Sequence, residues 1–208
     1  MTGTDMIRVH HLNQSRSLRI LWLLEELELD YEVIRYERDP KTRLAPDALK
    51  EIHPLGKSPV LELGGQRIAE SGAIVELICR RFGPHLVPPA DSDAYLRHLE
   101  WMHFAEGSAM TPILLNLYVG LLGEAGAPLH PRIQSELTAH FQLMEDGLRP
   151  SGHFVLDTLS AADIMLIFPA GVISRLGRAD DFPKLTAFTA EMRARPAFGR
   201  ALRAAGGD

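Results

Sequence analysis

The sequence predicts an α/β domain built on a small mixed sheet, followed by an all-α helical domain. Residues 6–82 alternate between strand-like and helix-like patterns in the order β-α-β-α-β-β-α. A stretch rich in proline and glycine follows over residues 83–89, and no convincing strand pattern comes after it. We therefore expect one domain at residues 1–83 and a second at residues 92–208, joined by a linker at residues 84–91.

The first three elements form a βαβ unit. Residues Met6–Leu12 alternate between two faces, as a half-buried strand does. Ser15–Leu29 carries an apolar stripe at helical spacing, with Glu25 and Glu28 facing away from it. Tyr31–Tyr36 is rich in β-branched and aromatic residues and predicts a second strand.

The remaining elements of the first domain complete the sheet. Ala45–Ile52 predicts a short helix, and Pro59–Leu63 predicts a strand. Gly64-Gly65 predicts a tight hairpin turn that leads into a strand at Gln66–Ala69. A helix at Ser71–Phe82 follows.

The second domain is predicted to be helical throughout. Apolar residues at helical spacing or proline positions predict helices at Ser92–Val119, with a break or kink at Pro112, and at Pro131–Leu148, Phe182–Arg193 and Pro196–Ala204. Ser160 and Asp163 match a capping box ahead of an apolar run, so a helix is expected to begin there.

Composition excludes several function classes. The chain has 208 residues, 46% hydrophobic, and a net charge of −5 without blocks of like charge, so no nucleic-acid partner is expected. One cysteine excludes an internal disulfide. The most apolar run, Leu18–Leu29, is too short and too charged to span a bilayer, and no signal peptide is recognised. We expect a soluble cytoplasmic enzyme with no membrane partner.

The histidines and glycines do not match a metal site or a phosphate loop. His10 and His11 are adjacent strand residues and point to opposite faces, and His98 and His103 lie five apart without a carboxylate motif. Gly64-Gly65 lacks the spacing of a phosphate-binding loop. No metal is therefore expected.

Two short segments predict a clamp for a peptide. Pro59 opens a strand, and a cis Ser58–Pro59 bond would turn the backbone N–H and C=O of Ser58 toward a ligand. An extended peptide can pair with these groups as an added strand. Glu70 and Ser71 stand where a strand ends and a helix begins, so they can hold the charged end of that peptide.

Both segments resemble the glutathione-binding half of the cytosolic glutathione S-transferases, and the resemblance covers nearly the whole chain. The runs Val9–Ser17 and Leu21–Leu27 are similar to the Gtt1-like subgroup of fungi and bacteria. The resemblance implies a thioredoxin-like N-terminal domain and an all-α C-terminal domain. It also implies a homodimeric detoxification enzyme. Such an enzyme binds glutathione as a co-substrate and conjugates the glutathione thiolate to an apolar electrophile. The alternatives are a glutathione-dependent peroxidase or disulfide reductase, and a non-catalytic module that binds glutathione or a protein.

The resemblance implies Ser15 as the group that stabilises the thiolate, since it matches the serine of delta-like members. Serine is also a favoured helix cap, so Ser15 has a structural alternative. Asn13, Ser17 and backbone amides are the other candidates for thiol activation.

Beta-class members carry a cysteine in this region, and its nearest match here is Arg16. Cys79 lies on an apolar helical segment and is expected to be a buried structural thiol. This argues against an enzyme–glutathione mixed disulfide.

The other implied contacts fall into two sets. Glutathione is expected to contact Lys41, Lys57, Ser58, Pro59, Glu70 and Ser71. Its glycine carboxylate is expected to pair with Lys41 or Lys57, and Arg43 is a less favoured candidate. For both lysines the alternative is an ordinary solvated surface charge. The electrophile is expected between the domains, against His103, Phe104, Glu106, Gly107, Met110 and Tyr118.

Overall fold

The structure is a computed structural model that describes residues 6–207. Its sheet has four strands in the order β2-β1-β3-β4. The strands are β1 Ile7–Leu12, β2 Tyr31–Tyr36, β3 Val60–Leu63 and β4 Gln66–Ala69. Strand β2 runs parallel to β1, whereas β3 is antiparallel to both β1 and β4. The predicted mixed sheet is confirmed.

Three helices follow these strands in the order the sequence predicts: α1 Leu18–Glu26, α2 Ala48–Ile52 and α3 Ser71–Phe82. Helix α1 is shorter than the predicted Ser15–Leu29. Residues 15–17 form turns before it, and Glu28 has a positive φ of 52°, which a continuing helix does not allow. The helix is also buried beyond a single stripe, because even Arg19 is 1% exposed.

Helices make up most of the rest of the described chain. They are α4 Asp93–Gly107, α5 Met110–Gly120, α6 His130–Gly147, α7 Ala161–Ala170, α8 Val172–Arg175, α9 Pro183–Ala194 and α10 Pro196–Ala205, with short 3-10 turns at Pro84–Leu86, Gly123–Leu129 and Ala179–Asp181. The break predicted within Ser92–Val119 is confirmed, but it lies a few residues before Pro112. The chain breaks between Gly107 and Met110, and Pro112 lies in the first turn of α5, where its missing N–H costs no helical hydrogen bond.

Helix α7 begins at the predicted capping box and is buried along almost its whole length. Ser160 and Asp163 form the capping box: the Asp163 carboxylate accepts the Ser160 N–H at 2.7 Å, and the Ser160 hydroxyl accepts the Asp163 N–H at 3.4 Å. Trp101 and Phe188 pack against Phe154 with ring centroids 5.0 and 5.2 Å apart. Gly147 permits this packing, since a Cβ there would lie 2.3 Å from the Trp101 ring.

The chain divides into two compact units. One runs up to Pro84 and also includes the chain from Arg193 onward, and the other is His85–Met192. The last helix therefore groups with the sheet, which differs from the expected helical domain at residues 92–208. The reason is a non-local contact, because the buried face of α10 packs against α1. Within residues 6–207, no helix combines the length and the apolar character needed to cross a membrane.

Candidate functional site

The strand register gathers the predicted segments at one end of the sheet. Val60 of β3 lies opposite His10 of β1 and opposite Ala69 of β4. The residues just before β3 therefore lie beside the end of β1 and beside the residues just after β4. Three segments meet at this end of the sheet, although up to 60 positions separate them in the sequence: the turn after Leu12, Ser58-Pro59 and Glu70-Ser71.

The first part of the clamp is the Ser58–Pro59 bond, which is cis, as predicted. The Ser58 hydroxyl donates to the His10 carbonyl at 2.8 Å and accepts the Leu12 N–H at 3.1 Å. These two bonds use the Ser58 side chain to fasten the segment to the end of β1. Neither bond uses the backbone N–H or C=O of Ser58, the two groups expected from the sequence to pair with a peptide.

The second part of the clamp is the start of α3. Glu70 precedes this helix with a φ of 71°, a left-handed conformation that is uncommon for a residue with a side chain. Its side chain is exposed, whereas Ser71, the first helical residue, is 4% exposed. The helix has no side-chain cap and no acidic residue in its first turn. Its N-terminal N–H groups and its dipole therefore favour an anion.

Ser15 lies in the turn between β1 and α1, beside the clamp. Its hydroxyl accepts the Ser17 N–H at 3.2 Å and donates to the Ser58 hydroxyl at 3.5 Å. Because α1 begins at Leu18, Ser15 supports the preceding turn rather than the first turn of the helix. The bond from the Ser17 N–H occupies one lone pair of the Ser15 oxygen, and among residues 6–207 the only acceptor for the Ser15 hydrogen besides the Ser17 hydroxyl is the long contact to Ser58.

Ser17 and His11 extend this arrangement into the interior. The Ser17 hydroxyl lies 2.7 Å from that of Ser15 and 2.8 Å from Nδ1 of His11. Both Ser17 and His11 are 0% exposed. Sequence reasoning proposed Ser17 only as an alternative to Ser15 and gave His11 no role. Strand alternation was the sequence signal that could have identified His11, because it puts His11 on the same face of β1 as the buried Val9. A buried imidazole requires a hydrogen-bond partner.

Asn13 has a structural task in this turn. Its side-chain oxygen accepts the backbone N–H of Arg38 at 2.9 Å, and its carbonyl accepts from the Arg38 guanidinium at 3.2 Å. The Arg43 guanidinium donates to the side-chain oxygen of Gln14. These contacts join the end of β1 to the loop that follows β2. The Asn13 amide thereby fixes the loop that carries Lys41.

Lys41 and Lys57 are both exposed. The Asp39 carboxylate accepts the N–H groups of Thr42 and Lys41 at 2.7 and 2.9 Å, which shapes the loop and lowers the pKa of Asp39. Neither lysine ammonium forms an ion pair with a carboxylate of residues 6–207.

The residues expected to contact an electrophile lie on α4 and α5. His103 and Gly107 are exposed and Tyr118 is 58% exposed. Met110 is 3% exposed, and Phe104 packs against the rings of Trp101 and His140 at 5.2 and 5.8 Å. Met110 and Phe104 thus contribute to the packing of the helical unit, while Glu106 is partly exposed.

Cys79 is 0% exposed, and burial raises the pKa of its thiol to about 12. It is a structural thiol in the packing of α3, as predicted. Among residues 6–207, no group of three or more histidine, cysteine or acidic side chains is arranged to hold a metal ion.

Two family models match the chain. The glutathione S-transferase N-terminal domain matches residues 4–80, and the glutathione S-transferase C-terminal domain matches residues 102–196. Together they match the sheet-containing part, including Ser58-Pro59 and Glu70-Ser71, and most of the helical part. The fold and these matches thus define a thioredoxin-like N-terminal domain of the glutathione S-transferase type with a helical C-terminal domain.

Individual proteins agree with these matches. Glutathione S-transferase 1 of Saccharomyces cerevisiae is 30% identical over 205 residues, which covers 87% of each chain. A solved glutathione S-transferase from Actinobacillus pleuropneumoniae is 31% identical with a TM-score of 0.88, covering 97% of this chain and 94% of that one. The chain belongs to the glutathione S-transferase family and is a transferase enzyme. A yeast and a bacterial relative agree with the predicted fungal and bacterial subgroup.

A solved glutathione S-transferase from a sphingomonad, in complex with glutathione, shares the fold. It is 23% identical with a TM-score of 0.79, covering 96% of this chain and 98% of that one.

Proposed function

We propose that this enzyme conjugates the thiolate of reduced glutathione to an apolar electrophile, with Ser15 as the group that stabilises the thiolate. The observation that carries the proposal is the position of the Ser15 hydroxyl, 3.5 Å from the Ser58 hydroxyl beside cis Pro59. A peptide paired with the Ser58 backbone has its central residue next to that hydroxyl. In glutathione the central residue is the cysteine.

The ends of glutathione are assigned by charge. The free N–H groups at the start of α3, with the Ser71 hydroxyl, bind the γ-glutamyl carboxylate, and the exposed Glu70 carboxylate binds the amine. The glycine carboxylate at the other end requires a cation. Lys57, which precedes the clamp, and Lys41, on the loop fixed by Asn13, supply it.

The chemistry consists of lowering a thiol pKa and exposing the resulting nucleophile. A free thiol titrates near about 8.5, and a hydrogen-bond donor aimed at sulfur favours the charged form. A shift of about one unit, worth about 1.36 kcal/mol, makes the thiolate abundant near neutral pH. The thiol proton leaves to solvent, the sulfur forms a bond to the electrophilic carbon, and the leaving group departs with its electron pair.

The electrophile is assigned to the surface of α4 and α5, where His103, Glu106, Gly107 and Tyr118 are at least partly exposed. Phe104 and Met110 belong to the packing beneath these exposed side chains: Phe104 contacts the Trp101 ring, and Met110 is buried. The family relationship also supports a cytoplasmic homodimer with a role in detoxification.

A peroxidase or disulfide reductase would use the same thiolate with another acceptor. A mixed disulfide with this protein's own cysteine is disfavoured, because Cys79 is 0% exposed and its pKa is raised to about 12. The remaining distinction concerns the acceptor, which an activity screen resolves.

The test begins with calorimetric titration of reduced glutathione, followed by a pH scan of thiolate absorbance on the complex. We expect binding, with a thiolate midpoint below the 8.5 or so of a free thiol. Ser15→Ala should retain binding and raise the midpoint by about one unit. An unchanged midpoint in Ser15→Ala would remove Ser15 from the mechanism, and absence of binding would overturn the proposed function. A screen of aryl halides, peroxides and small disulfides then assigns the acceptor.

A further inference from the structure

A chain of three hydrogen-bonding side chains leads from the interior of the first unit to Ser15. The Nδ1 of His11 lies 2.8 Å from the Ser17 hydroxyl, which lies 2.7 Å from the Ser15 hydroxyl. His11 and Ser17 are 0% exposed and Ser15 is 8% exposed. The proposed function assigns a role to Ser15 alone and leaves the other two unexplained.

The hydrogens of this chain can be counted. Each serine hydroxyl has one hydrogen to donate and two lone pairs to accept with. The Ser58 hydroxyl gives its hydrogen to the His10 carbonyl, which has none to offer in return. Ser58 therefore cannot donate to Ser15. Ser15 already accepts the Ser17 N–H, so its second lone pair can take only one further donor from these side chains, the Ser17 hydroxyl.

The hydrogen on His11 decides the direction of the whole chain. If Nδ1 carries a hydrogen, it donates to Ser17 and Ser17 donates to Ser15. The Ser15 hydrogen is then left for the Ser58 hydroxyl, 3.5 Å away, or for an anion beside it. If Nδ1 carries no hydrogen, the Ser17 hydroxyl donates to it. The Ser17 oxygen can then accept the hydrogen of Ser15. In the first arrangement an anion beside Ser15 competes only with the long Ser58 contact for the Ser15 hydrogen, whereas in the second it also competes with the Ser17 oxygen. Each bond in such a chain also polarises the next and strengthens the last one.

We propose that His11, with its hydrogen on Nδ1, is a positioning residue that acts through Ser17 to aim the Ser15 hydroxyl at the glutathione sulfur. This inference rests on the proposed function, because it requires the sulfur to lie at Ser15. It assigns His11 no contact with substrate and no gain or loss of a proton during the reaction.

A purely structural role makes a different prediction. If the two bonds only hold the turn between β1 and α1 in place, removing them lowers stability and leaves the thiolate of bound glutathione unchanged. If they orient the Ser15 hydrogen, removing either of them raises the pH at which the thiolate forms. The thiolate midpoint therefore separates the two roles, and thermal stability does not.

The experiment measures thiolate absorbance of the glutathione complex against pH in the full-length protein. Ser17→Ala should raise the midpoint by about one unit, Ser17→Thr, which keeps the hydroxyl, should restore most of it, and His11→Leu should match Ser17→Ala. The double variant should shift no further than either single variant, because both break one chain. Ser160→Ala, which destabilises the other unit, should leave the midpoint unchanged.

The outcomes distinguish the two proposals. If Ser15→Ala raises the midpoint and Ser17→Ala does not, Ser15 keeps its role and the His11 inference is overturned. If the wild-type protein does not bind glutathione, both fail. Ser17→Ala removes only one oxygen, so its result decides the matter even if His11→Leu does not fold.

Discussion

The indole of Trp22 in α1 packs edge to face against the ring of Phe198 in α10, with ring centroids 5.4 Å apart. Trp22 is 0% exposed and Phe198 is 5% exposed. The indole N–H also donates to Glu26 at 2.7 Å, and the Glu26 carboxylate accepts two bonds from Arg195 at 2.6 and 2.8 Å. Aromatic packing and a bidentate ion pair therefore fix the last helix to the first.

Phe198→Ala should destabilise the first unit by about 3–5 kcal/mol, because it leaves a cavity against Trp22. Trp22 and Trp101 are the two tryptophans of the chain and lie in different units, so urea unfolding followed by fluorescence in a Trp101→Phe background reports the first unit. The exposed Arg203→Ala on the same helix should change stability by less than about 0.5 kcal/mol. Equal effects of the two variants would contradict the importance of this contact.

The Glu26–Arg195 pair should make the stability of the first unit sensitive to acid. Burial alone would raise the pKa of Glu26, but the hydrogen bonds from Arg195 and Trp22 outweigh it and the pKa is lowered. A lowered carboxyl pKa stabilises the fold above the unfolded value of about 4.3, and the stabilisation is lost as pH falls through the folded value. Glu26→Gln should cost about 1–3 kcal/mol at pH 7.

Urea titrations of the wild-type and Glu26→Gln proteins should therefore converge as pH falls below about 4. A difference that stays constant between pH 7 and pH 3 would show that the pair does not act through the charge of Glu26.

Ser160→Ala should destabilise the helical unit by about 1–2 kcal/mol, because it removes the cap of the buried helix α7. Fluorescence of Trp101 in a Trp22→Phe background reports this unit. A midpoint within error of the wild type would contradict the role of the capping box.

Ser71→Ala should weaken glutathione binding by about 10- to 100-fold, the range expected for a lost hydrogen bond to a charged group. Calorimetry measures this directly. Ser92→Ala, at the start of α4, is the matched control and should bind as the wild type does. An unchanged affinity in Ser71→Ala would remove this residue from the γ-glutamyl site.

Cys79 should be inert toward thiol reagents in the folded protein. Burial raises its pKa to about 12, so the thiol stays protonated at pH 8 and is also shielded from the reagent. Reaction with an aromatic disulfide reagent should proceed only as fast as the protein unfolds, and rapid reaction in urea is the positive control. Cys79→Ala should retain transferase turnover.

Elements with strong local signals were predicted with the correct bounds. Three elements agree with the structure at both ends: Tyr31–Tyr36, Gln66–Ala69 and Ser71–Phe82. The first is defined by β-branched residues, the second by the glycine pair before it, and the third by a helix-start pattern. The start of α1 was wrong, because the serines before it form turns through their own hydroxyls. The grouping of α10 with the sheet depends on a contact across more than 170 positions, which periodicity does not report.

The candidate site divides in the same way. Pro59 and Ser71 carry local signals, a proline at a strand start and a serine at a helix start, so the cis bond and the start of α3 were predictable. The approach of Ser15 to Ser58 depends on how β1 pairs with β3, and the bond between His11 and Ser17 depends on how the chain turns between them. Neither contact can be predicted from the spacing of residues in the sequence.

The return of the last helix to the first unit has a consequence for synthesis. The segment that carries Phe198 leaves the ribosome only after all of residues 85–192 have emerged. The helical unit is contiguous and can complete its packing first, while α1 still exposes the apolar surface around Trp22. A nascent or truncated chain that stops before Arg193 should therefore depend on chaperones and be prone to aggregation.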